Sequence, residues 1–118
     1  MDVKIAHALE VDRVIDITTI GRKSGKPRRI EIWFHNLDGQ LYITGTPGVR
    51  DWYANLLAHP HFTFHLKQSL QADLPAFAVP VKAPLQRRAI MAKIISNLDS
   101  EADLDKWVDQ SPLVEVRL

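Results

Sequence analysis

The stretch Val14 to Thr19 is β-branched and apolar around Asp16, the pattern of a buried strand. Gly21 to Lys26 then carries two glycines and a serine and predicts a turn. Strict alternation resumes from Arg28 to His35. Ile30, Ile32 and Phe34 share one face, and Arg29, Glu31, Trp33 and His35 the other. Asn36-Leu37-Asp38-Gly39 is a hairpin turn signal, and Leu41 to Thr44 pairs back as a third strand.

Gly45 to Gly48 predicts a loop. Asp51 opens a short helix through Ala58, and Pro60 stops it. Phe62, Phe64 and Leu66 alternate with Thr63 and His65 in a half-buried strand. A longer strand spans Gln71 to Val81, with Pro75 and Pro80 marking an edge or a bulge. Pro84 sits at the first turn of a helix whose apolar face is Leu85, Ile90, Ile94 and Ile95. Ser100-Glu101-Ala102-Asp103 reads as a capping box with a shortened acid, opening a helix through Trp107. Leu113 to Leu118 is the last strand. The predicted order is βββ-α-ββ-α-α-β, without βαβ alternation. Antiparallel hairpins of this length favour closure into a barrel, which removes exposed edges.

A chain of 118 residues suits one domain, 1–118, with a modest core. It has no cysteine, which excludes disulfides, thiolate catalysis and cysteine-ligated metals and fits a cytoplasmic protein. No apolar run is long enough to span a bilayer. The segment Met1 to Asp12 is charged and lacks the apolar stretch of a signal peptide.

The net charge of +1 offers no general field for nucleic acid, but its distribution is uneven. Arg22 to Arg29 holds five basic residues and no acid, whereas Asp99 to Asp109 is acidic apart from Lys106. In the basic turn, glycines let backbone N–H groups converge on an anion. Ser24 adds a hydroxyl, and Arg22, Lys23, Lys26 and Arg28 add cationic donors. Taken alone, this suits a solvated hairpin tip as well as a phosphate cradle. The spacing is not that of a P-loop, and no exposed aromatics interleave the charges as single-stranded nucleic acid would require.

Two other constellations fall away. His61 and His65 lie on one strand face roughly 13 Å apart, too far to share an ion, and His59 with His61 is conceivable but lacks a third ligand, so no metal site is expected. Asp99-x-Glu101-x-Asp103-x-Asp105 lacks the glycine of a calcium loop, with Leu104 in its place. Trp33 and Trp107 suit the core or a dimer interface.

Thr18-Thr19-Ile20-Gly21-Arg22-Lys23-Ser24-Gly25-Lys26-Pro27-Arg28 resembles the opening motif of the deazaflavin-dependent nitroreductase family. A second match follows in Asp38-Gly39-x-x-Tyr42, the loop Gly45 to Val49, and Trp52-x-x-Asn55-Leu56-x-x-x-Pro60. The resemblance covers residues 14 to 66 well and the rest in element order. It implies a split β-barrel of the FMN-binding, pyridoxamine-phosphate-oxidase-like kind, α+β but mainly β, with short covering helices. It further implies an oxidoreductase using coenzyme F-420, a deazaflavin with a phosphate and polyglutamate tail.

Carried over by position, Arg22, Lys23, Ser24, Gly25, Lys26 and Arg28 would hold the phosphate and tail. Gly45, Thr46, Pro47, Gly48, Val49 and Arg50 would lie along the ring, with Trp52 and Asn55 bracing that loop. The implied acceptor is electron-poor: a quinone, enone or nitro compound. The cofactor carries the hydride chemistry, so no catalytic side chain is named.

The ring loop here is short, with Arg50 standing where relatives carry a lysine. The tyrosines that nitroreductase members place near the substrate from a C-terminal helix are absent, since this chain has Tyr42 and Tyr53 alone. Trp107 is expected to fill that space. These departures leave open a non-catalytic binder of a flavin, haem or fatty acid on the same barrel, and an FMN-dependent oxidoreductase. A homodimer and peripheral contact with membrane quinone complete the expected partners, with no nucleic acid among them.

Overall fold

The computed structural model describes residues 1–98 and 101–118. The elements are helix α1 (Val3–Val11), strands β1 (Val14–Ile20), β2 (Pro27–Leu37) and β3 (Gln40–Thr44), helix α2 (Asp51–Ala58), strands β4 (His61–Leu66) and β5 (Ala72–Pro80), helices α3 (Pro84–Asn97) and α4 (Leu104–Gln110), and strand β6 (Leu113–Arg117). The strands close into an antiparallel barrel in the order β1-β2-β3-β6-β5-β4.

Period-two alternation sorts the side chains. Ile15, Ile17, Phe34, Ile43, Phe64, Val114 and Val116 point inward to one core, where Phe34 and Phe64 meet edge to face at 5.2 Å. Burying each such ring contributes about 2–3 kcal/mol. On the outer side of β3 and β6, Tyr42 and Leu113 join Val81, Ile90, Met91 and Ile94 in a second cluster beneath α3. The barrel is thus packed within and sheltered on one flank.

The opposite flank carries charges. Asp16 accepts from Arg29 at 3.0 Å and from Lys67 at 2.7 Å, and Lys67 also pairs with Glu31. The Lys67 hydrogen bond, helped by Arg29, holds the Asp16 carboxyl below its ordinary range. His65 links Thr18 Oγ1 at 2.7 Å to the Asp73 carboxylate at 2.6 Å. The His65 side chain is buried.

Several expectations are corrected. Helix α1 is absent from the predicted order. Asp2 caps it by accepting from the backbone N–H groups of Lys4 and Ile5, and Ala8 and Leu9 bury its inner face at one end of β1. Ser100 of the expected capping box lies outside the described residues. The following helix opens at Leu104, with Asp103 as its cap. Leu85 points to solvent, so the apolar face of α3 is carried by Ile90, Met91, Ile94 and Ile95. Trp33 is 48 % exposed and is no core residue. Pro75 is tolerated because Ala72–Ala76 pair with β4 while the β6 register ends at Phe77. Among the described residues no helix is long and apolar enough to cross a membrane.

Candidate functional site

The basic turn leaves the barrel where β1 ends and β2 begins, and its backbone is held from within. Gly21 N–H donates to the Lys26 carbonyl and Gly25 N–H to the Gly21 carbonyl, both at 2.9 Å. Gly25 adopts φ +68°, a conformation glycine accepts without penalty. A Cβ on Gly21 would stand 2.4 Å from Ser24 Oγ. That hydroxyl itself accepts from Lys26 N–H at 3.2 Å.

Helix α2 holds the turn from outside. The buried Asn55 accepts from Arg22 N–H through Oδ1 at 3.0 Å and donates through Nδ2 to Thr19 Oγ1 at 3.3 Å. Asn55 therefore braces the basic turn and not, as expected, the Gly45–Val49 loop. Trp52 does stand beside that loop, its ring 4.0 Å from a Cβ placed on Gly45. Arg22 also reaches Asp51 at 3.5 Å.

Between turn and helix opens a cleft of about 440 Å³, lined by Arg22, Lys23, Ser24, Arg28, Trp52 and Asn55, with Thr19, Gly21, Ile30 and Asp51. Lys23, Lys26 and Arg28 form no ion pair among the described residues. Gly25 and Lys26 lie at the tip, outside the cleft lining. Unpaired cations around a pre-held backbone are the donor set a phosphate or a string of carboxylates requires. The residues present thus fit the anionic end of a deazaflavin cofactor.

The ring loop is organised differently. Arg50 folds back on its own segment, donating to Thr46 Oγ1 at 2.5 Å, to the Thr46 carbonyl at 3.1 Å and to the Val49 carbonyl at 3.0 Å. Gly48 N–H donates to the Gln110 carbonyl at 3.1 Å. Gly45 lies beneath Arg50 and against Pro112. Val49 is 93 % exposed. Gly48, Val49 and Arg50 line a second cleft of about 740 Å³, bounded by Tyr53 and Leu57 of α2 and by Pro112; Pro47 lines neither. Helix α2 is the wall between the two, turning Trp52 and Asn55 one way and Tyr53 and Leu57 the other.

Sequence reasoning omits Thr19, Ile30 and Asp51. Thr19 and Asn55 are 36 positions apart, and nothing local joins them. Asp51 was legible as a helix-opening acid but not as a partner of Arg22. Trp107 packs on the cluster beneath α3 and lines neither cleft.

A closed six-stranded antiparallel barrel with a basic turn at its rim places this chain among the split β-barrel proteins. Three solved structures share that fold. A protein described as an F420 reductase aligns at TM-score 0.71 and 20 % identity, covering 94 % of this chain and 90 % of its own. A putative pyridoxamine 5'-phosphate oxidase from Listeria innocua aligns at TM-score 0.70 and 14 % identity, covering 97 % and 90 %. A FAD-binding protein from Mesorhizobium loti aligns at TM-score 0.66 and 15 % identity, covering 98 % and 88 %. The chain itself belongs to the F420H(2)-dependent quinone reductase family, whose model matches residues 1–117. Membership of that family makes it an oxidoreductase.

Proposed function

We propose that this chain binds F-420 with its phosphate and tail on the basic turn and reduces a quinone. One observation carries the reading: Lys23 and Arg28 form no ion pair among the described residues and line a cleft whose backbone is already held by Asn55. Preorganisation of that kind lowers the entropy lost on binding. Family membership supplies the chemistry. When bound, reduced deazaflavin would supply the hydride. The protein's share is to orient the ring and to keep the acceptor beside it.

The ring would leave the basic cleft at Trp52 and lie against the Gly45–Val49 loop. The backbone N–H groups of Thr46 and Val49 are available there to its polar atoms. Because Arg50 is bound to Thr46 and Val49, it sets the shape of this loop and does not contact the phosphate.

A flavin phosphate is the second reading, favoured by the FAD-binding neighbour of the same fold. Parallel titrations with F-420 and FMN separate the two. Purified protein mixed with reduced F-420 and a quinone should reoxidise the cofactor, followed optically. Failure to bind F-420, with no turnover, overturns the proposal.

A further inference from the structure

The second cleft has a composition unlike the first. Its walls are mostly apolar: Val49, Tyr53, Leu57, Val81 and Pro112. Ser111 lines it, is 4 % exposed, and its Oγ has no hydrogen-bond partner among the described residues. A buried hydroxyl left without a partner is rare and calls for a reason. Nothing in the packing supplies one, for the Ser111 backbone is fully engaged: its N–H caps α4 on Trp107 and its carbonyl accepts from Arg87.

Arg87 is the second anomaly. Its guanidinium donates to three backbone carbonyls, those of Val81, Val108 and Ser111, and it forms no ion pair among the described residues. Backbone carbonyls position a guanidinium without neutralising it. Lys82 lines the same cleft and is likewise without an ion pair among the described residues, while Asp109 is the one carboxylate in the lining. The cleft is therefore apolar, positively biased and supplied with one unused donor.

We infer that this cleft is the acceptor site, that the Ser111 hydroxyl anchors a carbonyl oxygen of a planar apolar quinone, and that Arg87 stabilises the negative charge the oxygen gains. The inference rests on the reductase reading above and extends it to named residues. Reduction to the hydroquinone takes two electrons and two protons. When bound, reduced deazaflavin would be oxidised by giving up both electrons with one proton as hydride and would release its second proton to solvent, from which the substrate oxygen takes one proton. Between the two events the substrate carries one negative charge on oxygen. A guanidinium fixed in advance beside an apolar wall stabilises such a charge without reorganising. The shared wall, α2 with the Gly48–Arg50 loop, would bring a ring held on that loop to the edge of this cleft.

The test uses cofactor-free, nitrogen-15-labelled protein titrated with menadione and, separately, with 2-methylnaphthalene, a hydrocarbon of the same outline. Menadione should shift the amide signals of Val49, Leu57 and Ser111. Ser111→Ala, nearly isosteric, should weaken menadione about tenfold and leave 2-methylnaphthalene unchanged. In turnover the same variant should raise KM for menadione more than it lowers kcat. Lys82→Gln should weaken menadione by less than threefold, since that cation is screened by solvent. Equal affinity of wild type and Ser111→Ala for menadione, shifts confined to the basic cleft, or no menadione binding would each overturn the inference. An F-420 titration of wild type runs alongside. Its failure would remove the reductase reading, while the menadione arm would still decide the role of Ser111.

Discussion

The basic turn and the ring loop look alike in sequence, each a glycine-bearing segment with arginine, yet the barrel treats them in opposite ways. In the turn, glycines and Asn55 hold the backbone, so Lys23, Lys26 and Arg28 form no ion pair among the described residues. In the loop, the arginine itself holds the backbone, and Arg50 is committed to Thr46 and Val49. A cation is available to a ligand when something else bears the structural role. That difference separates a basic cleft from a largely apolar one along the two sides of one eight-residue helix.

The largest effect should come from emptying the turn of its charge. Lys23→Ala with Arg28→Ala removes two charge-assisted contacts of about 2 kcal/mol each, and F-420 affinity should fall on the order of a thousandfold. Lys26→Ala should cost less than tenfold for F-420 and leave FMN unchanged, because Lys26 lies outside the cleft and faces only a tail. Calorimetric titration measures all three. Equal losses for FMN and F-420 in Lys26→Ala would break the assignment of the tip to the tail.

A pH effect has to be kept apart from these charges. Burial, aided by Arg13, pushes the His35 imidazole down from 6.5 to about 4. A base whose folded value is depressed disfavours the folded state once protons can bind the unfolded chain. Its contribution is therefore whole above pH 6.5 and is lost as pH falls toward 4, about 3 kcal/mol in all. Urea denaturation at pH 7.5 and pH 5 should show about 2 kcal/mol of this loss, and His35→Leu should flatten the dependence. His35 lines neither cleft, and arginine and lysine do not titrate in this window. Weaker F-420 binding between pH 6.5 and 5 should thus follow the folded fraction. A decline in cofactor binding to fully folded protein would contradict the division.

Asn55→Ala probes the brace. It leaves the Arg22 N–H and the Thr19 hydroxyl unpaired beside a buried side chain, and should lower stability by about 1–3 kcal/mol in urea denaturation. F-420 affinity should fall with it, since the turn loses its preset shape. Arg50→Ala, on an exposed loop, should cost less than about 1 kcal/mol and alter quinone kinetics before F-420 affinity. If Arg50→Ala harmed F-420 binding as much as Asn55→Ala, the two clefts would be one site.

Much of this was legible in the chain because the physics is local. Alternation in β2, the Asp38-Gly39 turn and Pro84 each set a boundary from neighbouring residues, and the two motifs marked segments that line the two clefts. The errors share a cause. Helix α1 depends on a single cap and two buried residues and leaves little periodic signal. The roles of Asn55 and Arg50 follow from which backbone groups face them after closure, and closure joins residues dozens of positions apart. Ser111 could not be singled out at all, because an unpaired hydroxyl is a property of its surroundings.

The smallest effect is the sharpest test of what availability means. Arg22 belongs to the basic turn by sequence, yet Asp51 stands 3.5 Å from it at the mouth of the cleft. Asp51 is highly exposed, so the pair is worth no more than about 1 kcal/mol, and salt weakens it further. An arriving phosphate must compete with that carboxylate for Arg22 and approach its negative charge. Asp51→Asn removes both obstacles while keeping the side chain's size at the helix start. F-420 affinity should then rise about threefold at low salt, with the gain fading by 0.5 M sodium chloride as screening takes over. FMN, whose phosphate meets the same arginine, should gain as much. A gain that persisted in high salt would point to a change of shape in the cleft, and a loss would mean that Asp51 itself donates order to the turn through Arg22.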